Sequence, residues 1–185
     1  LTEKYVLKDE YRNKLRCRIA NSAIGPSTIR GMAKKGTIAP ARLFLAQIDL
    51  SKFINCDAEE FAKLLDGITE QYRNEVKLHW GTARKFLNIF LRDCLYNRWV
   101  CEDFQLSEIG QFFEVPLDSH VARELKQKAG RGKLPRWRGV SRLDAPQSKQ
   151  FQNYADKLAK SEGVWRVDLD IIFWRGDLSR RKQGI

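Results

Sequence analysis

Residues 82–100 constrain the fold of this chain more than any other stretch. Phe86, Leu87, Ile89, Phe90, Leu91, Cys94 and Leu95 cover most of the circumference a helix would present there, which predicts a central, buried helix. A helix that is apolar nearly all round must be covered by other elements. One narrow polar stripe interrupts it: Lys85, Asn88, Arg92 and Tyr96 fall within ~80° of one another. Unpaired buried cations are costly, so this stripe either lines a solvated cleft or is paired with groups brought from elsewhere. Only the first alternative requires a function.

The rest of the chain supplies covering helices. Residues 3–20 carry Tyr11, Leu15 and Ile19 at four-residue steps, and Pro40 suits the first turn of a helix holding Leu43, Phe44, Leu45 and Ile48. Asp57 can cap a helix in which Phe61, Leu64, Leu65, Ile68 and Tyr72 form the clearest amphipathic stripe. Residues 23–37 read as a loop or short helix with solvated Arg30, Lys34 and Lys35. A short helix falls within 102–114, and Pro116 enforces an extended segment with its neighbours. Asp118 then opens a helix through about residue 127, and residues 148–161 form another with Phe151, Tyr154, Ala155 and Leu158 on one face. Between them, residues 130–146 form one long basic loop. Alternation over 165–173 favours a strand by period alone, but no second strand exists to pair with it, so a helix from about Asp168 is weighed above it. The expected architecture is all-α, one domain over residues 1–185.

Composition narrows the partners. The 34 Lys and Arg against 23 Asp and Glu give +11, which favours a polyanion, either nucleic acid or an anionic membrane surface. No apolar run approaches the roughly 20 residues a spanning helix needs, and the charged N-terminus does not suit a secretory signal. Cys17, Cys56, Cys94 and Cys101 form no CxxC pair, which speaks against a metal cluster and for free thiols in the cytoplasm.

Two segments carry the chemistry. In residues 79–85, His79-Trp80-Gly81-Thr82-Ala83-Arg84-Lys85, Gly81 permits a tight reversal and the following helix start offers free N–H groups to a phosphate. In residues 115–121, Val115-Pro116-Leu117-Asp118-Ser119-His120-Val121, a carboxylate is delivered at a helix N-terminus. Together they resemble the helix-hairpin-helix superfamily of DNA glycosylases, the group of endonuclease III and the 8-oxoguanine glycosylases. Residues 81–88 align with that family's hairpin, keeping its first glycine, the Arg-Lys pair and Asn88, and residues 115–121 match its Val-Pro-Val-Asp-Thr-His-Val segment almost residue for residue. Ala83 stands where the family has its second hairpin glycine, His79-Trp80 replace Leu-Pro, and the four-cysteine cluster of endonuclease III is absent.

The resemblance implies a helix-hairpin-helix glycosylase-like bundle that flips a modified base from DNA and cleaves its N-glycosidic bond, acting as a monomer without membrane or cofactor, and with no iron–sulfur cluster. Lys85 is similar to the attacking amine of bifunctional members, which also cut the abasic strand; Asp118 is similar to their catalytic aspartate. Water as the nucleophile stays open. Gly81, Thr82, Ala83 and Arg84 would hold DNA at the hairpin, with Arg136 and Arg138 on the basic loop and Trp137 between them for stacking. Asn88, Arg92, Tyr96, Asp168 and Asp170 would supply the polar groups of a base pocket. The family offers an oxidised purine such as 8-oxoguanine, for repair, or glucosylated hydroxymethylcytosine of phage DNA, for defence. His120 is expected to brace the turn. The alternatives are a non-catalytic helix-hairpin-helix module that only binds DNA and, third, a basic membrane-surface protein.

Overall fold

A computed structural model describes residues 9–29, 32, 34 and 36–180, so Arg30, Lys35 and residues 3–8 of the first expected helix lie outside the described residues. Helices α1 (Asp9–Ala23), α2 (Pro26–Ile29), α3 (Ile38–Ala46), α4 (Ala58–Val76), α5 (Trp80–Tyr96), α6 (Arg98–Asp103), α7 (Ser119–Ala129), α8 (Ala145–Glu162) and α9 (Leu169–Arg180) follow in order. Short 3₁₀ turns lie at Leu50–Phe53, Leu106–Phe112, Val140–Arg142 and Arg166–Asp168. The architecture is all-α, with no strand among the described residues. No described helix is long and apolar enough to cross a membrane.

Local chemistry explains the boundaries. Asp57 accepts hydrogen bonds from the Glu59 and Glu60 N–H groups while Glu60 reaches back to the Asp57 N–H, a capping box that starts α4. Helix α3 begins at Ile38, so Pro40 sits in its first turn, where a missing N–H costs no helical hydrogen bond. The central helix is shorter than its apolar pattern predicts. Asn97 is extended, and its side chain accepts from the Val100 N–H, so it ends α5 and caps α6. At residues 164–175 the helix prevails: the Trp165 N–H donates to Asp168, a 3₁₀ turn forms, and α9 follows.

The described residues pack into two apolar cores. The larger is built from α1, α3, α4, α5, α6 and the Leu106–Phe112 turn, with Leu45, Phe53, Leu65, Phe86, Phe90 and Phe113 fully enclosed. Within it Tyr72 stacks on Phe44 at 4.4 Å and donates its hydroxyl to the Ala41 carbonyl, joining α4 to α3. The smaller core gathers Val115, Leu117, Val121, Leu125, Phe151, Leu169 and Phe173 from the extended segment, α7, α8 and α9. The chain passes from one to the other at Phe113-Glu114-Val115.

Gly81 brings the cores together. A Cβ built there meets the Val140 carbonyl oxygen at 2.2 Å and the Leu143 Cβ at 2.7 Å, so only glycine lets the basic loop close onto the first turn of α5. Gly67, in the middle of α4, has nothing within 4 Å. Gly81→Ala should therefore destabilise the protein by about 1–3 kcal/mol through overpacking. Gly67→Ala should stabilise it by up to about 1 kcal/mol through helix propensity. Urea unfolding of the two variants checks both signs.

Candidate active site

The geometry of the site begins with two neighbours on α5. Arg84 and Lys85 are about 100° apart around the helix, and both are buried. Arg84 Nε and Nη2 donate to Glu114 Oε2 and Oε1 at 2.8 and 3.0 Å, and Nη1 donates to Asp66 at 2.9 Å and to the Thr69 hydroxyl at 3.0 Å. Asn88 adds a bond from its amide to Glu114 Oε2 at 2.9 Å. Burial alone would raise the Glu114 pKa, but the charge and hydrogen bonds of Arg84 hold it down to about 2.

Lys85 faces Asp118 instead. The extended segment that carries Asp118 is held like a strand without a sheet. The side-chain amide of Gln152 accepts from the Val115 N–H at 3.2 Å and donates to the Val115 carbonyl at 2.8 Å. Arg166 donates to the Phe112 and Phe113 carbonyls just before it. Asp118 then divides its carboxylate. Oδ1 accepts the His120 and Val121 N–H groups, both at 2.9 Å, and so caps α7, while Oδ2 lies 3.7 Å from Lys85 Nζ.

That separation is longer than a hydrogen bond, so the ammonium is attracted but not locked. Burial pulls Lys85 below the ordinary lysine pKa, with Arg92 acting in the same direction, against the opposing pull of Asp118 and Asp170. Lys85 and Asp118 open together into a cleft of about 360 Å³ bordered by Met32, Ser119, His120 and Ser141. A buried amine of lowered basicity beside a partly free carboxylate can act as nucleophile and charge stabiliser in one place.

The polar stripe of α5 turns out to be paired along its length. Besides Lys85 and Asn88, Arg92 bonds Asp170 on α9 and its neighbour Asp93, and Tyr96 donates to Asp168 at 2.7 Å. Of the five residues expected to form one base pocket, Arg92 and Asp170 lie near enough to Lys85 to act on its charge, but none of the five lines its cleft. Asn88 points to Glu114. Arg92, Tyr96 and Asp170 border a separate depression of about 490 Å³ with the exposed Trp174. Asp168 holds the entry to α9.

The hairpin also differs from expectation. Gly81, Thr82, Ala83 and Arg84 are buried, the first beneath Val140–Leu143 and the last inside its ion-pair network, so Arg84 is spent internally instead of meeting a phosphate. Arg136 and Arg138 are exposed on the basic loop, but Trp137 between them turns inward. Its indole donates to the Ser119 hydroxyl at 3.1 Å and meets the Phe151 ring edge-on at 5.5 Å, so it anchors the loop beside Asp118. His120 braces α7 against α9: its Nδ1 accepts from Arg123, leaving Nε2–H to donate to the Phe173 carbonyl at 3.4 Å. Glu114 went unnoticed in the sequence. Its one signal was a carboxylate immediately before Val115-Pro116, in a chain with two polar groups, Arg84 and Asn88, on a buried helix. Among the described residues no group of three or more His, Cys, Asp or Glu is placed to hold a metal ion.

Because Glu114 has a folded pKa of about 2 against an ordinary 4.5, its ion pair stabilises the fold fully above about pH 4.5, and that contribution is lost as pH falls toward 2. Glu114→Ala leaves Arg84 Nε and Nη2 without partners, with only Nη1 still held by Asp66 and Thr69, and should cost about 3–5 kcal/mol. It should also flatten the loss of stability between pH 4.5 and 2 in urea titrations. A variant that keeps the wild-type acid limb would show the pair is not its source.

No protein family matches this chain, and neither a curated protein nor a solved structure does, so the chemistry of the site stands on the side chains that compose it.

Proposed function

We propose that this chain is a DNA glycosylase, carried by one observation: Lys85 Nζ, buried and of lowered basicity, stands 3.7 Å from a carboxylate oxygen of Asp118 in an open cleft. The glycosidic bond of a stacked nucleotide is out of reach, so the target is extruded into that cleft. As the C1′–N bond breaks, the base leaves with the bonding electron pair and the sugar acquires positive charge, which Asp118 Oδ2 stabilises. The neutral Lys85 amine forms the new bond to C1′ and passes one proton to the departing base; its second proton moves to O4′ as the C1′–O4′ bond breaks, which leaves a Schiff base. Loss of the C2′ proton then expels the 3′-phosphate, which cuts the strand. With water in place of Lys85, the same carboxylate supports base release alone.

Arg131, Lys133, Arg136, Arg138 and Arg142 are exposed on the loop that borders the cleft, and they provide the grip on the DNA backbone. A module that only binds DNA through its hairpin is the weaker reading, because residues 81–83 are buried and Arg84 is taken up by Glu114 and Asp66, while Lys85 and Asp118 line a cleft. The excised base is either an oxidised purine or glucosylated hydroxymethylcytosine. A sugar-bearing base asks for more polar partners, since each buried hydroxyl left unpaired costs about 1–3 kcal/mol. Base release measured in parallel on duplexes containing 8-oxoguanine, uracil and glucosylated hydroxymethylcytosine decides between them.

On the responsive duplex, Asp118→Asn should slow base release by about 10²–10³-fold; an unchanged rate would sink the mechanism. Borohydride should trap a covalent adduct that Lys85→Ala abolishes, with trapping rising through a midpoint below the ordinary lysine value of 10.5. Full base release without any trapping assigns attack to water.

Arg136→Ala with Arg138→Ala should weaken binding to every duplex alike. The double change should also lower the slope of log affinity against log salt by about 2, one unit per lost phosphate contact. An unaltered slope in fluorescence-anisotropy titrations would remove the loop from the interface.

A further inference from the structure

On the Arg84 side of α5 lies a second cleft, about 670 Å³, nearly twice the volume of the one at Lys85. Its size is that of a small-molecule site. One side is aromatic: Phe61 from α4, almost wholly buried, and Phe112 from the 3₁₀ turn stand with ring centroids 6.1 Å apart, and Trp80 of α5 lies beside the cleft with the Arg84 guanidinium over its ring at 5.4 Å. The opposite wall is polar and comes from α8 and the turn before α9, with Lys149, Asn153 and Arg166.

The charges in this cleft are unequally committed. Arg84 is consumed by Glu114 and Asp66, and Asp156 is paired with Lys160 at 2.7 Å. Arg166 has no carboxylate within ion-pair distance among the described residues, although Glu114 and Asp156 act on its charge from farther away. Its Nε and Nη2 go to the Phe113 and Phe112 carbonyls, which fixes the guanidinium and leaves Nη1 without a hydrogen bond among the described residues. Lys149 is exposed and likewise has no ion pair. A half-buried guanidinium anchored by its other two nitrogens is a preorganised anion donor, and a second cation stands on the same wall. An anion held there leaves the partly exposed Phe112 ring, in the same cleft, for an attached heteroaromatic ring.

We propose that this cleft binds a heteroaromatic phosphate of nucleoside monophosphate size, with its ring against Phe112 and its anion on Arg166 and Lys149. The Glu114 and Gln152 side chains that line the cleft also hold the segment leading to Asp118, so the occupant touches the scaffold of the Lys85 site without entering it. The proposal does not depend on the glycosylase reading, because its test involves no reaction at Lys85.

Isothermal titration of the whole chain with deoxyadenosine monophosphate, deoxyadenosine and inorganic phosphate tests it. The nucleotide should bind, and each half alone should bind at least about tenfold more weakly. Arg166 is left intact, since it holds backbone carbonyls. Ala62→Trp, which fills the cleft from the exposed face of α4, and Lys149→Glu, which reverses an exposed charge, should each weaken nucleotide binding at least about tenfold at unchanged melting temperature. No binding at about 1 mM nucleotide, binding retained in both variants, or phosphate alone matching the nucleotide would each overturn the proposal.

Discussion

Arg84 and Glu114 meet where the two apolar cores join, and their bidentate pair is what the rest of the molecule is arranged around. Both groups lose most of their hydration, a cost that attraction alone does not offset. What offsets it is saturation: Asn88 fills a further site on Glu114, while Asp66 and Thr69 take the remaining face of Arg84. Glu114 is four residues ahead of Asp118, and Gln152 clamps Val115 between them. The pair therefore fixes the start of the extended segment against α5, and the segment sets where Asp118 arrives opposite Lys85.

The divided carboxylate of Asp118 shows why a structural and a chemical role need not compete. A helix cap uses one oxygen for N–H groups, and those two bonds orient the other oxygen without consuming it. Lys85 is on a helix that is apolar over most of its circumference, so its amine is desolvated by the same packing that makes α5 central. The packing of the larger core and the lowered basicity of Lys85 both follow from one buried helix.

Much of this was legible in the sequence because it is local. The capping box at Asp57, the apolar stripe of α4, the all-round burial of α5 and the cap at Asp118 depend on spacing within one or two turns. Partners distant in the chain were not legible. The polar stripe of α5 left two outcomes open, a solvated cleft or pairing. Lys85 does both, whereas Asn88 and Arg92 are tied to Glu114 and Asp170, residues 26 and 78 positions away. The same distance hid the fate of Arg84, which looks like a phosphate ligand until Glu114 and Asp66 are brought to it. Trp137 misled for a related reason: flanking arginines mark a solvated run, but its indole found Ser119 and Phe151. The end of α5 at Asn97 was a competition between apolar continuity and a side chain that caps the next helix, and the cap won.

The basic loop is where fold and site become one problem. A run of exposed cations attracts a polyanion from any direction, and attraction alone does not aim it. Here the loop is held at two points on either side of the Lys85 cleft. At one, Gly81 admits the Val140 backbone onto the first turn of α5; at the other, Trp137 is bonded to Ser119, next to Asp118. Lys126 adds a third tie from α7 to the Pro135 carbonyl at 2.9 Å. Pinned at Trp137 and Val140, beside Ser119 and the first turn of α5, the loop carries its exposed arginines next to the cleft that holds Lys85 and Asp118.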